Sequence, residues 1–497
     1  MLTENGQKIA QMRDYVNSGA TRSYDFRMEQ IRKIKQMLTL ESDRICEAIY
    51  KDTRRRPEFT EFYEIGVAKM ECDQFLDNLK EWMEDEYVDR TLVCMLDTPY
   101  VRKEPFGVCL LISPFNYPIN LTVPALIAMI AAGNSVILKP SELTPNTSAL
   151  FEEMYHKYFD KRLIQVIQGD GPATAALLNE RFDHICYTGS ERIGKLVMAA
   201  VSKHLTPVVL ELGGQSPVLV DETVDLEITA RRILWGKTSN AGQTCLAPNH
   251  LITTADVKFK LLPILKRILV EFYGEDAQKS NDFMRLVSHH HFDRIKSMVD
   301  NSKGNVVIKA GEFDRDDLFI PPMIVEVDKD DVLLSEEIFG PILPIVTVAE
   351  FEDAFDLIKK KEKPLGAYIF SNDKKRQKKF VDEISTGNIG INDLMLNFAV
   401  DTLPFGGVGH SGMGRYRGKA GFDTFSNWKS VLHRGFFADN LTACRYPPCT
   451  PDKYKMMKRA GNRVVVPKKL KKLFSVAPWI LLGVFFKVIY QQFAQQF

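Results

Sequence analysis

The sequence predicts an α/β fold built on two parallel sheets. Short continuous apolar runs alternate with stretches of helical length, first between residues 108 and 212 and again between 218 and 391. Such runs are typical of strands that helices bury on both faces. In addition, a chain of 497 residues is too long for one ordinary hydrophobic core and indicates at least two domains.

The individual elements follow from the spacing of apolar residues. Residues 24–90 predict helices because apolar side chains recur at helical spacing, and the apolar run at 92–96 predicts a strand or hairpin arm. Arg54–Arg56, before a proline, predicts a solvated surface run. The predicted strands of the first sheet are Val108–Ile112, Val136–Leu138, Leu163–Ile167, His184–Tyr187 and Val208–Leu212. Those of the second sheet are Val218–Val220, His250–Thr253, Val306–Ile308, Ile345–Val348, Ala367–Phe370 and Asn388–Ile391.

Composition excludes several classes of protein. A net charge of +1 gives no reason to expect a nucleic-acid partner. The eight cysteines are scattered without a framework, which favours a reducing compartment over a secreted disulfide protein. No metal site is predicted, because Cys444 and Cys449 lack nearby partner ligands and His289–His291 reads as a solvated loop or helix start. The charged N-terminus is not a signal peptide.

Cys245 is the strongest candidate for a reactive side chain. It lies in the turn-like run from 240 to 246, between a predicted helix and a predicted strand. A lone cysteine is more often a small buried apolar residue. A thiolate that attacks a carbonyl also needs a donor for the oxyanion and a base that activates water. Asn116, after the first strand of the parallel sheet, could donate, and Glu211, between two leucines at a strand end, could act as the base. The alternatives are a turn-forming Asn116 and a salt-bridged structural Glu211.

A second set of residues suits a nicotinamide dinucleotide. Lys139 and Glu142 could hold a ribose diol, and the carboxylate would favour NAD over NADP by repelling a 2′-phosphate. A helix opens directly after a strand at 189–194, where its amides could bind phosphate. By itself the 189–194 motif is weakly specific, and the 336–341 segment standing alone would be a surface turn. The predicted cofactor-binding residues are Lys139, Glu142, Gly189, Ser190, Gly194, Glu337 and Phe339.

Together these segments resemble the aldehyde dehydrogenase superfamily from about residue 25 to residue 435. The motifs appear in the family's order: PFNYP at 114–118, KPSE at 139–142, TGS at 188–190, LELGG at 210–214, GQTC at 242–245 and EEIFGP at 336–341. The FGGVGHSGMG segment at 405–414 is similar to the class 3 branch, which includes fatty aldehyde dehydrogenases. Many family members have Trp where this chain has Phe115, which would reshape the substrate tunnel without removing a catalytic group.

The resemblance implies a domain organisation and a set of roles. It implies a Rossmann-like NAD-binding domain at 1–211 with an arm segment at about 91–104, an α/β catalytic domain at 212–398, an oligomerisation arm at 399–440 and a tail at 441–497. It also implies a homodimer and NAD as cofactor, with NADP as the alternative. The implied catalytic residues are the nucleophile Cys245, the general base Glu211 and the oxyanion donor Asn116. The implied substrate tunnel contains Phe115, Tyr117 and His410.

The C-terminal tail predicts contact with a lipid bilayer. Four lysines between 468 and 472 precede the apolar run Leu473–Phe486, which as a helix would span roughly 21 Å, short of the ~30 Å hydrocarbon core. The candidate anchor 473–493 is long enough if Lys487 snorkels to the interface. The tail therefore spans the bilayer, lies in its interface or packs on the enzyme itself. The lysines favour a catalytic body facing the cytosol. The expected membrane is the endoplasmic reticulum, with the mitochondrial outer membrane and the peroxisome as alternatives.

Oxidation of medium- or long-chain aliphatic aldehydes to acids is the leading functional hypothesis. A soluble dehydrogenase for aromatic or short aldehydes is the alternative if the tail merely packs on the body. A CoA-acylating relative fits less well, because transfer to CoA does not require the water-activating base that Glu211 would supply. A catalytically silent protein on the same fold is disfavoured by the joint presence of Cys245, Glu211 and Asn116.

Overall fold

A computed structural model describes residues 3–91, 94, 97–436, 439–460 and 465–466. The chain divides into two compact units. The first comprises residues 1–82 and 105–426, and the second comprises 83–104 and 427–497. The predicted α/β fold is confirmed, since the first unit contains two mainly parallel sheets covered by helices.

The helices have the following bounds: α1 Glu4–Asn17, α2 Tyr24–Leu40, α3 Ser42–Thr53, α4 Pro57–Thr60, α5 Val67–Trp82, α6 Val123–Ala132, α7 Pro145–Tyr158, α8 Gly171–Leu178, α9 Glu191–Val201, α10 Leu226–Thr238, α11 Ala255–Tyr273, α12 His289–Asn301, α13 Asp353–Lys359, α14 Lys374–Glu383, α15 Gly418–Thr424 and α16 Pro451–Ala460. A π-helical segment, Glu61–Gly66, joins α4 to α5.

The strands have the following bounds: β1 Glu86–Tyr87, β2 Arg90–Thr91, β3 Thr98–Pro105, β4 Val108–Ile112, β5 Ser135–Lys139, β6 Ile164–Val166, β7 His184–Thr188, β8 Val208–Glu211, β9 Pro217–Val220, β10 His250–Thr254, β11 Asn305–Lys309, β12 Met323–Val327, β13 Ile342–Val348, β14 Gly366–Phe370, β15 Asn388–Ile391, β16 Gly412–Met413, β17 Ser426–His433 and β18 Val465–Val466.

The first large sheet has the strand order β16-β8-β7-β4-β5-β6. All neighbours are parallel except β16, which runs antiparallel to β8 and pairs Gly412 with Glu211. Every residue of α6 is buried, which explains why its sequence VPALIAMIAA is apolar on all sides. Helix α1 also belongs to this core through Ile9 and Met12.

The second large sheet has the order β11-β12-β13-β10-β9-β14-β15. Its strands are parallel except β11, which is antiparallel to β12. The central strands β9, β10 and β14 are buried along almost their whole length, as expected for strands with helices on both faces.

The second unit contains a three-stranded sheet of order β1-β3-β17 and a two-stranded pair of β2 with β18. β3 consists mainly of partly buried residues and β17 mainly of exposed residues, unlike the buried strands of the first unit. The predicted arm segment at about 91–104 includes β3. Residues 92, 93, 95 and 96 of the predicted apolar run lie outside the described residues.

The candidate membrane anchor 473–493 also lies outside the described residues. Within the described ranges, which end at residue 466, no helix combines the length and the apolar composition needed to cross a bilayer.

Candidate active site

The predicted site residues lie at strand ends and in loops of the two large sheets of the first unit. In the six-stranded sheet β4 lies between β5 and β7, so the connections run in opposite directions from it. Open α/β sheets bind ligands beyond the carboxyl ends of the strands at such a point. The loop after β4 carries Asn116, and Glu211 is the last residue of β8. Cys245 and Glu337 lie in the segments that lead into β10 and β13 of the second sheet.

The turn before Cys245 has an unusual backbone. Asn240, Ala241 and Gly242 have positive φ angles of 53°, 51° and 75°. Left-handed conformations cost free energy in residues with a side chain, so neighbouring contacts must hold them. Gly242 avoids this cost and also allows a close approach, because a Cβ there would overlap the carbonyl group of Gly340. The turn is therefore packed directly against the segment that precedes β13.

Asn116 faces this turn. Its buried side-chain Nδ2 donates to the carbonyl oxygen of Gln243 at 3.1 Å. Since a primary amide has two N–H donors, the other can serve an oxyanion. In addition, the Tyr117 hydroxyl lies 3.0 Å from Oγ1 of Thr244. The structure thus brings the 114–118 loop and the cysteine turn, more than 120 positions apart in the chain, into direct contact.

Glu211 is a buried carboxyl group. It is 1% exposed, and neither carboxylate oxygen has a hydrogen-bond partner within the described part of the chain. Burial raises the pKa of Glu211 well above its usual range, while the positive charges of Arg415 and Arg417 oppose that rise. A raised pKa makes the carboxylate a stronger proton acceptor than an exposed one, which suits a general base.

Cys245 is a partly buried thiol beside two carboxyl groups. Burial raises the pKa of Cys245, and the negative charges of Glu337 and then Glu211 raise it further. Hydrogen bonds from the backbone amides of Cys245 and Leu246 act in the opposite direction, because they favour the thiolate. The predicted nucleophile and the predicted base are therefore close enough to influence each other's charge.

Glu337 lies beside the glycines that follow β8. Burial raises the pKa of Glu337 to about 8, while the Gly214 amide and the charges of Arg294 and Lys237 hold it lower. A Cβ at Gly213 would overlap the Glu337 carboxylate, so glycine there leaves room for the acid. The EEIFGP and LELGG segments are thus adjacent.

The predicted dinucleotide residues lie at the same edge of the first sheet. Lys139, at the end of β5, is 2% exposed and donates from Nζ to the exposed Glu142 at 2.9 Å. Ser190 precedes α9, directly after β7. A Cβ at Gly194 would be 2.9 Å from the side chain of Leu212, so α9 lies close to the end of β8. A buried ammonium beside an exposed carboxylate, next to a helix N-terminus, fits a ribose and a phosphate.

An aromatic group lies beside the site. Phe115 makes edge contacts with Phe339, at 5.9 Å between ring centroids, and with His291, at 5.3 Å. The structure therefore brings Phe115, which is expected in the substrate tunnel, into contact with Phe339, which is expected at the nicotinamide. The 289–291 run begins α12, which confirms the helix start that was one of its two predicted states. His291, the last residue of the run, packs on Phe115 and is not fully solvated. Burial lowers the pKa of His291 to about 4.

His410 lies beside the start of α9. It is exposed, and its Nδ1 lies 2.8 Å from Glu191 at the start of α9. Its Nε2 lies 3.7 Å from Glu362. Within the described ranges no ring contact or hydrogen bond joins it to Phe115 or Tyr117, and its place in the aldehyde tunnel stays a prediction.

Two charged residues near the site were missed, and one prediction was wrong. Arg55 is 1% exposed rather than part of a solvated run, because it forms an ion pair with the fully buried Glu64. Arg417 is also buried, and it donates to Oδ1 of Asn120 at 2.6 Å. No local pattern reveals them, since the partners lie on other elements of the fold.

Comparison with known proteins agrees with this geometry. The model of the aldehyde dehydrogenase family matches residues 7–431. The chain belongs to the aldehyde dehydrogenase family. This aldehyde dehydrogenase is 43% identical over 442 residues to the rat protein named aldehyde dehydrogenase, dimeric NADP-preferring, covering 88% of this chain and 97% of that one. It is 40% identical over 453 residues to human aldehyde dehydrogenase family 3 member B1, covering 91% and 96%. The family 3 name agrees with the predicted class 3 branch.

Solved structures support the same assignment. The substrate-bound state of Staphylococcus aureus AldH matches with a TM-score of 0.88 and 38% identity, and the match covers 92% of this aldehyde dehydrogenase and 99% of that chain. The glyceraldehyde-3-phosphate dehydrogenase GapN of Methanocaldococcus jannaschii, solved with NADP, matches with a TM-score of 0.77 at 24% identity over 86% and 94% of the two chains, which shows the shared fold.

Proposed function

We propose that this enzyme oxidises medium- or long-chain aliphatic aldehydes to carboxylic acids with NAD, or with NADP, through a thioester on Cys245. The observation that carries this proposal is the contact between the Asn116 amide and the cysteine turn. Two residues after that contact comes Cys245, whose pKa responds to the charge of Glu211, and this supports the proposed roles of the three residues.

The proposed reaction uses three groups of the chain. The Cys245 thiol loses its proton to solvent and the thiolate bonds to the carbonyl carbon of the aldehyde. The resulting oxyanion accepts hydrogen bonds from the Asn116 amide and the Cys245 backbone N–H. A nicotinamide held by Glu337 and Phe339 would supply the acceptor for the hydride that leaves that carbon. Glu211 then removes a proton from water, the water oxygen attacks the thioester, and the thiolate leaves.

The cofactor is assigned to the edge of the first sheet. Lys139 and Glu142 would hold the adenosine ribose, and Gly189, Ser190 and Gly194 would place the start of α9 at the phosphates. Glu337 and Phe339 would contact the nicotinamide end. Support comes from the Lys139–Glu142 hydrogen bond and from the position of Glu337 against the backbone after β8. The rat relative named NADP-preferring and the NADP-bound GapN keep NADP open as an alternative.

An apolar aldehyde is favoured by aromatic side chains near the reactive loop. Phe59 stacks on Tyr63 at 5.9 Å, and Trp235 lies 6.4 Å from Tyr63. The Tyr63 carbonyl accepts a hydrogen bond from Asn120, which lies just beyond the 114–118 loop. Phe115 and Tyr117 in that loop are the proposed walls of the tunnel. Such rings suit an alkyl chain better than a charged substrate.

Membrane association and dimerisation complete the proposal. The basic and apolar composition of residues 468–493 supports a bilayer anchor with the catalytic body on the cytosolic side, at the endoplasmic reticulum. Long-chain aldehydes partition into bilayers, so an anchor would bring the enzyme to its substrate. A homodimer is proposed because the rat relative is named dimeric.

The test is NADH formation by the full-length enzyme across aldehydes from short to long chain. Cys245→Ser and Cys449→Ala run alongside, the second as a control because Cys449 is exposed. We expect long-chain aldehydes to be preferred, Cys245→Ser to be inactive and Cys449→Ala to match the parent. A preference for benzaldehyde or short aldehydes would refute the fatty-aldehyde assignment, and an active Cys245→Ser would refute the nucleophile.

A further inference from the structure

A buried ion pair connects the helical N-terminal region to the reactive loop. Nη1 of Arg55 pairs with Oε1 of Glu64, and the two residues are 1% and 0% exposed. The second carboxylate oxygen, Oε2, accepts from the backbone amides of Ile119 at 2.7 Å and Asn120 at 3.1 Å. Glu64 therefore holds the chain directly after the 114–118 loop in one conformation.

Arg55 continues the network to both reactive segments. Its Nη2 donates to the carbonyl oxygen of Asn116 at 2.5 Å and to Oδ1 of Asn240 at 2.8 Å. The Asn240 amide donates in turn to the Asn116 carbonyl and to the Gln243 carbonyl, at 3.0 Å each. The Arg55 guanidinium also lies 4.8 Å from the ring centroid of Tyr117. One guanidinium thus contacts the oxyanion loop and the cysteine turn at the same time.

These contacts fix geometry more than they add stability. Replacing a buried ion pair by well-packed apolar residues is often neutral or stabilising, because desolvation offsets the Coulomb attraction. The fork of a guanidinium, by contrast, sets directions for several acceptors at once. Asn240 has a left-handed backbone, which is costly unless its surroundings determine it, and Arg55 contacts its side chain directly.

We propose that Arg55 and Glu64 are positioning residues, which hold the Asn116 amide and the Cys245 turn in register for attack on the aldehyde. This inference rests on the proposed roles of Asn116 and Cys245. It goes beyond them in assigning the alignment of nucleophile and oxyanion donor to two residues that do not touch the substrate.

The test uses Glu64→Gln, which preserves shape and removes the charge, and Arg55→Lys, which preserves the charge and removes the fork. We expect kcat to fall roughly 10- to 100-fold in both, because displacements near 1 Å in a reactive geometry cost rates of this size. The KM for NAD should stay at the parental value, since Lys139 and Glu142 are not part of the network. Asp221→Asn is the matched control, because Asp221 is fully buried and paired with Arg376 on the second sheet. That variant should keep the parental kcat.

A double-variant comparison separates positioning from general stability. If Glu64 acts through Asn116, adding Glu64→Gln to Asn116→Ala should reduce kcat by much less than it does in the parent. Independent, additive losses would overturn the inference. Should Glu64→Gln fail to fold, the Arg55→Lys variant tests the inference instead. A parental kcat in Arg55→Lys would also overturn the inference. An active Cys245→Ser would instead refute the proposed function itself, so the two failures are distinguishable.

Discussion

Replacing Gly242 by alanine should lower both the stability of the enzyme and its kcat. Gly242 has a φ of 75° and lies three residues before Cys245. An added Cβ would overlap the carbonyl group of Gly340 and would be 2.9 Å from the amide nitrogen of Pro341. Since both obstacles are backbone atoms, no side chain can rotate away, and one of the two turns must move.

Two costs are expected, and they can be separated. The left-handed backbone alone costs an alanine about 1 to 2 kcal/mol. Relief of the overlap needs a shift on the order of 1 Å, and a shift of that size at a reactive centre costs about 100-fold in rate. Gly19→Ala isolates the first cost, because Gly19 has a similar φ of 84° and its nearest Cβ contact would be Arg22 Cδ at 3.9 Å.

The assay pairs steady-state NADH formation with thermal unfolding of the parent and both variants. Gly19→Ala should lose a little stability and keep its kcat. Gly242→Ala should lose stability by at least as much and kcat by roughly 100-fold. If Gly242→Ala keeps the parental kcat while folded, the close packing of the two turns is not needed for catalysis, and the reasoning fails.

Three further predictions concern charge. Glu337→Gln should lower the pKa of the Cys245 thiol, because Glu337 is the nearby charge that raises it most. Alkylation of Cys245 by iodoacetamide should therefore become faster above about pH 8, where the parental Glu337 is ionised. An equal effect of Glu336→Gln, at an exposed neighbour, would contradict this prediction. Glu142→Gln should raise kcat/KM for NADP relative to NAD by removing repulsion of a 2′-phosphate, and an unchanged ratio would argue against ribose contact. Finally, kcat/KM should rise with increasing pH, because Glu211 and Cys245 both have pKa values raised by burial and each must lose a proton before it can act; a kcat/KM that falls as the pH rises would be inconsistent with the proposed roles.

The strands of both sheets were largely predictable from the sequence, and the reason is burial. Val108–Ile112 is β4 with the same bounds, and the other runs predicted for the first sheet overlap β5 to β8. A strand covered on both faces needs continuous apolar residues, so a short continuous apolar run in the sequence predicts a buried strand. Strand β12 was missed although it is apolar, and helix α1 was missed although its buried residues Ile9, Met12 and Val16 recur at helical spacing.

The site was predictable to the extent that its chemistry lies in short motifs. Asn116 and the cysteine turn do come into contact, and Glu211 is buried and close enough to Cys245 to raise the pKa of its thiol. Arg55 was not recoverable, because three successive arginines resemble a solvated surface. Its burial depends on Glu64, on the next helical segment, and on acceptors 61 and 185 positions away. Hydrogen-bond partners of that kind are set by the tertiary fold.

The electrostatics of the site suggest when charge is created during the reaction. Burial favours the neutral forms of Cys245 and Glu211, so the resting enzyme holds little charge where a water-poor environment would penalise it. Under the proposed mechanism, charge appears only as the thiol attacks, and it then passes to an oxygen that faces the Asn116 amide. Donors that are already fixed stabilise this charge without having to reorganise during the reaction, and this lowers the barrier. The Arg55–Glu64 pair therefore has to be in place before the aldehyde arrives. This also explains why a pair with little expected net effect on stability is buried at the centre of the network.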